Sequence, residues 1–201
     1  MLPEEAVTLQ MIKGSSPNSA ALAAAADRQI AAGRFSLRAM HPADAGLCGL
    51  YAGDRRVAEA TRSIPHPLPP GAVEAFVARA MAATTGAPDE EVIWAIDGTV
   101  SGLSKLLGVI SLKPMGGAQS EIGYWVAPEM WNTGIASEAV AALVGANPLK
   151  DRTLFAEVFQ DNPGSARVLT NCGFQYLGDA ETFSVARGVR VQTWTYLRKL
   201  D

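Results

Sequence analysis

Phe35, Leu37 and Ala39 alternate with Ser36 and Arg38, the two-residue period of a half-buried strand. Pro42-Ala43-Asp44 then opens a short helix ending near Tyr51. A proline-rich stretch, Ile64-Pro65-His66-Pro67-Leu68-Pro69-Pro70, leads into a second helical segment from Gly71 to Ala83, where Val73, Phe76, Val77 and Ala80 recur at helical spacing. Three strands follow as a meander: Val92–Ile96, Leu106–Leu112 and Glu121–Val126. Asp97-Gly98 is a turn signal after the first, Pro114 with Gly116-Gly117 stops the second, and Pro128 bounds the third. The pattern then switches to alternation of helix and strand. A helix is predicted from about Gly134 to Val144, with Ile135, Ala139, Val140, Leu143 and Val144 on its apolar face and Gly145 and Pro148 ending it. Thr153–Phe159 is a strand. Asn162-Pro163 starts another helix, with Asn as N-cap and Pro at the first helical position, and Gly173 closes it. Val168, Leu169 and Cys172 share its apolar face, and Phe174–Leu177 and Val191–Leu197 are the closing strands.

Residues 1–33 read differently. Gly14-Ser15-Ser16-Pro17-Asn18 is a linker, and the alanine-rich run from about 19 to 32 favours a helix that Gly33 would end. The chain is therefore expected to carry an N-terminal arm, 1–33, ahead of a domain spanning 34–201. The element order β-α-α-β-β-β-α-β-α-β-β predicts one mixed α/β (α+β) domain, a single sheet covered by helices. No internal repeat is found.

Composition narrows the classes. The 201 residues suit one domain, and 48% apolar content can fill a sizeable core. The net charge of −3, without a dense Lys/Arg block, argues against a nucleic-acid partner. No apolar run approaches the roughly 18 residues needed to cross a membrane. Glu4 and Glu5 near the start do not suit a secretory signal, so the expected location is the cytoplasm. Cys48 and Cys172 have neither metal-ligand spacing nor a disulfide framework and read as buried small hydrophobes. With only His41 and His66 and no clustered ligands, no metal is expected.

The stretch that carries chemistry is Glu121-Ile-Gly-Tyr124-Trp125-Val126-Ala-Pro-Glu-Met-Trp131-Asn132-Thr133-Gly134-Ile135-Ala136-Ser137-Glu138-Ala139. A strand runs through a short loop into a helix whose first residues are small. Amides at such a helix start have no intrahelical acceptor and sit at the positive end of the helix dipole, which suits a pyrophosphate. Gly134 and Ala136 would let phosphates approach the backbone. Taken bare, the same pattern is also that of a tight turn. Its context is the preceding strand, the Trp131-x-x-Gly134-x-Ala136 spacing, and the later Asn162-x-x-Ser165 element with Gly173-Phe174.

On these motifs the segment from about Phe35 to Leu197 resembles the GNAT acetyltransferase superfamily, and within it the RimJ/RimL-like branch of ribosomal-protein N-terminal acetyltransferases. The resemblance implies a central, largely antiparallel mixed sheet with a V-shaped splay between the fourth and fifth strands, here Glu121–Val126 and Thr153–Phe159. It implies acetyl-CoA as cosubstrate, lying in that splay. Backbone groups near Tyr124, Trp125 and Val126 would hold the pantetheine arm. Amides of Thr133, Gly134, Ile135, Ala136 and Ser137, beside Trp131, would hold the pyrophosphate. Asn162 would bond the pantetheine region, or simply cap its helix. Two departures stand out: Asn132 replaces the branch's glycine after the loop tryptophan, a change that asparagine's tolerance of left-handed backbone suits. Leu169 stands where many members carry an acidic tyrosine. In this branch the serine of the Asn-x-x-Ser element takes the role of thiolate acid, which would here be Ser165, although serine is also unremarkable in a first helical turn.

Direct amine attack on a thioester needs a neutral amine, a stabilised oxyanion and a protonated leaving group. Glu121 is the first candidate base, with a solvent-facing strand-start charge as the equal alternative. Glu181, in the loop after Phe174, is a weaker one because its spacing does not coincide with that of relatives. The Val126 amide is the oxyanion donor. His66, in the stretch where relatives line the acceptor pocket, reads as exposed. A protein N-terminus is the leading acceptor. Small amines such as an aminoglycoside or polyamine would favour clustered acids, for which Asp54, Glu59, Glu74, Asp89, Glu90 and Glu91 are available. A non-catalytic acyl-CoA-binding module is the third reading. A homodimer is compatible with all three. A dinucleotide-binding dehydrogenase fails because the glycine loop follows a meander in mid-chain.

Overall fold

The computed structural model describes residues 29–82 and 90–200. One eight-stranded sheet, ordered β1-β2-β3-β4-β5-β6-β8-β7, runs through the molecule. Its strands are β1 (Ile30–Ala32), β2 (Phe35–Ala39), β3 (Val92–Asp97), β4 (Gly108–Gly116), β5 (Gln119–Val126), β6 (Thr153–Phe159), β7 (Gln175–Ser184) and β8 (Val189–Lys199). The helices are α1 (Ala45–Ala52), α2 (Arg55–Glu59), α3 (Ala72–Ala82), α4 (Ile135–Ala146) and α5 (Pro163–Asn171). Neighbouring strands are antiparallel except β5 and β6, which run parallel. This is the mixed, helix-covered sheet expected from the element order.

The unbroken apolar run of β3 follows from its central position, because a strand covered on both faces need not alternate. Val92, Trp94 and Ile96 join Ile135, Ala139, Val140 and Leu143 of α4 and Leu169 of α5 in one core. Ile93 and Ala95 point the other way, onto Cys48 and Tyr51 of α1 and Val77 and Ala80 of α3. β5 is divided in the same way, with Ile122, Tyr124 and Val126 toward α4 and α5 and Trp125 toward α1 and α3.

Several expectations are corrected. Ile30–Ala32, the end of the expected 19–32 helix, is a strand paired with β2, and Gly33 sits in the β1–β2 turn. The rest of that helix lies outside the described residues. The expected β3–β4 turn at Asp97-Gly98 is a longer loop containing a 3-10 turn at Thr99–Ser101, so β4 begins at Gly108. Pro114 does not stop β4, which pairs with β5 as far as Gly116. Ala127 N donates to Leu107 O at 2.8 Å, so odd-numbered residues of β4 bond β5, and the N–H that Pro114 lacks would face β3. Pairing with β3 already ends at Val92↔Leu112, so nothing is lost there. α4 continues through Gly145 and is terminated by Asn147 at φ 39°. The unpredicted α2 is capped by Asp54, whose side chain accepts from Arg56 N.

The sheet has one discontinuity. β5 and β6 pair only at Gln119↔Thr153, Ser120↔Leu154 and Glu121↔Phe155. Beyond these positions β5 stays with β4 as far as Val126, and β6 stays with β8 as far as Phe159. The two strands therefore part into the splay expected between the fourth and fifth strands of the sequence reading.

Candidate active site

The parted edges carry unpaired backbone polarity. On β5, Ala127 N bonds Leu107 O on the β4 side; on β6, Gln160 N bonds Gln192 O at 3.0 Å on the β8 side. Main-chain groups alternate sides along a strand. Tyr124 and Val126 of β5, and Glu157 and Phe159 of β6, therefore turn theirs into the opening. The Val126 carbonyl accepts the Trp131 indole N–H at 2.8 Å, which leaves the Val126 amide as the donor facing the gap.

At the open end, the loop 131–134 leads into α4. Asn132 has φ 62° and Gly134 φ 87°, so two left-handed residues flank Thr133. Asn132 thus adopts the conformation that its replacement of glycine demands. Thr133 Oγ1 donates to Met130 O at 2.6 Å, closing the turn. Gly134 is the N-cap and offers no side chain, so the first-turn amides lack an internal acceptor. Ile135 is buried and anchors the helix start, whereas residues 131–134 are exposed and Ala136 and Ser137 half-buried. An outward amide cluster at a helix start fits a diphosphate, and the polar edge of β5 fits an extended amide-bearing arm.

Tyr124 and Ser165 meet at the opening from the α4–α5 side. The phenol oxygen lies 2.8 Å from Ser165 Oγ and also donates to Ser165 O at 3.2 Å. Burial pushes the phenol far above its ordinary pKa, and nearby Cys172 adds to this against the opposing Ser165 hydrogen bond, so it stays a neutral donor. Asn162 Oδ1 accepts from Ser165 N at 3.1 Å, the N-cap bond expected of Asn162. Leu169 is fully buried in the core.

Glu121 lies on the opposite sheet face from Tyr124, at the last paired position of the fork. It does not reach Ser165; the two flank the opening from opposite sides. Arg62 binds it at 2.9 Å and Glu157 of β6 at 3.0 Å, and Thr193 Oγ1 donates to Glu157 at 2.8 Å. Arg62 thus straddles the point where the strands separate. Trp125 is half-buried against the α1–α3 core. Trp131 is 41% exposed, with the Arg56 guanidinium 5.3 Å above its ring.

Other candidates lie elsewhere. Glu181 is not in a loop but on edge strand β7, ion-paired with Arg190 at 2.9 Å, so it is withdrawn as a base. His41 N donates to Asp44 in a turn and His66 is exposed. Asp54 and Glu59 are already paired with Arg56 and Arg55. Asp89 lies outside the described residues. Among the described residues no group of His, Cys, Asp or Glu is arranged to hold a metal, and no helix is long and apolar enough to cross a membrane.

Three side chains at the site went unread in the sequence: the Tyr124 phenol, Arg62, and Arg34, whose guanidinium donates to the Thr133 carbonyl at 3.0 Å. For Tyr124 a signal existed, because the two-residue period places it on the face of Ile122 and Val126, toward α5. Arg62 and Arg34 had none, since their partners are remote in sequence.

Among curated proteins, the chain is 36% identical over 80 residues to the uncharacterized N-acetyltransferase YoaA of Bacillus subtilis (strain 168), covering 39% of this chain. The chain spans about 45% of the length of that relative. Among solved structures, RimL, a ribosomal L7/L12 alpha-N-protein acetyltransferase in complex with coenzyme A, is similar with a TM-score of 0.71. Its sequence identity is 16%, over 87% of this chain and 99% of that one. Spermidine N-acetyltransferase from Vibrio cholerae, in complex with CoA and spermine, is similar with a TM-score of 0.65 and 17% identity, over 82% and 95% of the two chains. Residues 34–175 match the acetyltransferase (GNAT) domain model, and with that span, which includes β5, the 131–134 loop and Ser165, the chain belongs to the GNAT acetyltransferase family.

Proposed function

We propose that this chain transfers the acetyl group of acetyl-CoA to the α-amine of a protein N-terminus. The observation that carries the proposal is the parting of β5 and β6 beyond Glu121↔Phe155, which turns the Val126 amide into an opening that ends at the 131–134 loop. Tyr124 and Val126 would pair with the pantetheine amides as an added strand would. The amides from Thr133 to Ser137 would hold the diphosphate.

The chemistry needs no covalent enzyme intermediate. The amine nitrogen attacks the thioester carbonyl, a C–N bond forms, and the C–S bond breaks. The Val126 N–H donates to the oxyanion. Ser165 gives its proton to the leaving thiolate, with the neutral Tyr124 phenol hydrogen-bonded beside it. Glu121, held by Arg62, takes the amine proton through water. An α-amine has a pKa of about 7.7–8.0 against about 10.4 for lysine, so a carboxylate suffices for an N-terminus. The two unpaired, buried cysteines suit a reducing cytoplasm.

A second reading, a small cationic amine as acceptor, draws on Glu121 and Glu157 sharing the single cation Arg62 at the fork, and on the likeness to a spermidine N-acetyltransferase. Thiol release from acetyl-CoA against peptides with free N-termini, N-blocked lysine peptides and polyamines tests both. Turnover with free N-termini alone is expected. Turnover with polyamines alone overturns the acceptor, and no release with any amine favours the non-catalytic binding module.

A further inference from the structure

Resting on the reading that the 131–134 loop receives the CoA diphosphate, we infer that Arg34, in the β1–β2 turn, is a positioning residue that sets the direction of that loop's amides. Its contacts come from 99 and 104 residues away in sequence. Arg34 Nη2 donates to the Thr133 carbonyl at 3.0 Å, Arg34 Nε donates to Glu138 at 2.8 Å, and the Arg34 main-chain N donates to the other Glu138 oxygen at 2.9 Å.

The consequence follows from peptide geometry. The peptide unit is planar and trans, so its C=O and N–H point in opposite directions. The Thr133 carbonyl is held toward Arg34; the Gly134 N–H of the same peptide is therefore turned away from Arg34. Gly134 has φ 87°, where backbone direction is not constrained by a side chain, and a Cβ there would come 3.4 Å from Arg34 Nη2. Arg34 thus stands behind the loop, on the side opposite the amide that would meet a phosphate. Its role is grip rather than direct charge contact.

Glu138 completes the device. An acidic side chain in the first turn of α4 favours the helix dipole but would repel a diphosphate bound there. Arg34 neutralises it with a two-point hold that also fastens the β1–β2 turn to α4. The guanidinium can serve Glu138 and the Thr133 carbonyl together because its donors are splayed in a rigid fork, which an ammonium cannot reproduce.

The test compares wild type, Arg34→Ala and Arg34→Lys by calorimetric binding of CoA and of pantetheine, which lacks the diphosphate, together with acetyl-CoA kinetics. For Arg34→Ala the expected result is a Kd for CoA raised about tenfold or more, pantetheine affinity within about twofold of wild type, and a raised KM with kcat at saturation nearly unchanged. Arg34→Lys, which keeps a charge beside Glu138 but loses the fork that also holds the Thr133 carbonyl, should restore only part of the loss. Full rescue by lysine, equal losses for CoA and pantetheine, or unchanged CoA affinity in both folded variants would each overturn the inference. If the wild-type protein itself fails to bind CoA, the functional reading falls first. Should Arg34→Ala not fold, Arg34→Lys alone still decides the matter, since a charge role predicts normal CoA binding and a grip role predicts loss.

Discussion

Tyr124 and Ser165 meet on the α4–α5 side of the opening, the phenol from β5 and the hydroxyl in the first turn of α5, 2.8 Å apart. The family pattern that places an acidic tyrosine on the last helix is absent here, because Leu169 is buried at that place. A phenol from β5 is hydrogen-bonded to the serine instead. Ser165→Ala is expected to lower kcat by about 100-fold or more, the usual scale of a lost general acid. Tyr124→Phe should cost less, and the double variant should lose less than the product of the two, as for groups in one network. Steady-state thiol release measures all three. Wild-type kcat in Ser165→Ala would remove the serine from the chemistry.

Glu121 and Glu157 share Arg62, yet only Glu121 is assigned the proton-accepting role. Glu121→Gln is expected to reduce kcat/KM by about 100-fold, read as thiol release. Glu157 has a second partner in Thr193, and Glu157→Gln is expected to lose much less of kcat/KM. Wild-type kcat/KM in Glu121→Gln would assign the carboxylate to holding Arg62 alone.

Gly134 sits at φ 87° with Arg34 behind it. Gly134→Leu places a side chain where L-residues are disfavoured by about 1–2 kcal/mol and drives it against Arg34, which disturbs the hold on the loop amides. The expected outcome is a strong rise in the CoA dissociation constant, about tenfold or more, in a protein that still melts cooperatively. Isothermal titration and a thermal melt read the two effects separately. Unchanged CoA affinity would move the diphosphate away from this loop.

Asp151, just before β6, is buried at 6% exposure, and its Oδ2 has no hydrogen-bond partner. Burial pushes this carboxyl above its ordinary pKa, against a smaller opposing pull from the nearby Ser120 hydroxyl. The folded state therefore holds the proton more tightly than the unfolded chain. Stability from this group is full below the unfolded pKa of about 3.9 and declines as pH rises through the higher folded value. Asp151→Asn removes the buried charge. At pH 7 it is expected to stabilise by about 1–3 kcal/mol, a rise of several degrees in Tm. The gain should vanish below about pH 4. A melting difference independent of pH would rule out the carboxylate as its source.

Much of the scaffold was legible because it is specified locally. Asn162-Pro163 announced α5, and its Oδ1 does bond Ser165 N. Thr153–Phe159 emerged with the same bounds, and the 3.6-residue spacing of Ile135, Ala139, Val140 and Leu143 marked the buried face of α4. The misreadings arose where a local preference met a longer-range partner. Alanine-rich composition pointed to helix at Ile30–Ala32, but those residues find β2 as an antiparallel mate and extend the sheet. Pro114 read as a strand stop, but its missing donor falls on the side where β3 has already ended.

By itself, the sequence determined the order of the elements from Phe35 onward apart from α2, the small-residue start of α4 and the left-handed tolerance at Asn132. Periodicity, capping and backbone sterics are properties of neighbouring residues. Only the tertiary structure decided that β5 and β6 part after three paired positions. It also set Tyr124 on Ser165 from 41 residues away, Arg62 across two carboxylates 59 and 95 residues distant, and Arg34 against Glu138 across 104 residues. Such contacts depend on which strands become neighbours and where their twists diverge, and no local window of sequence contains that information.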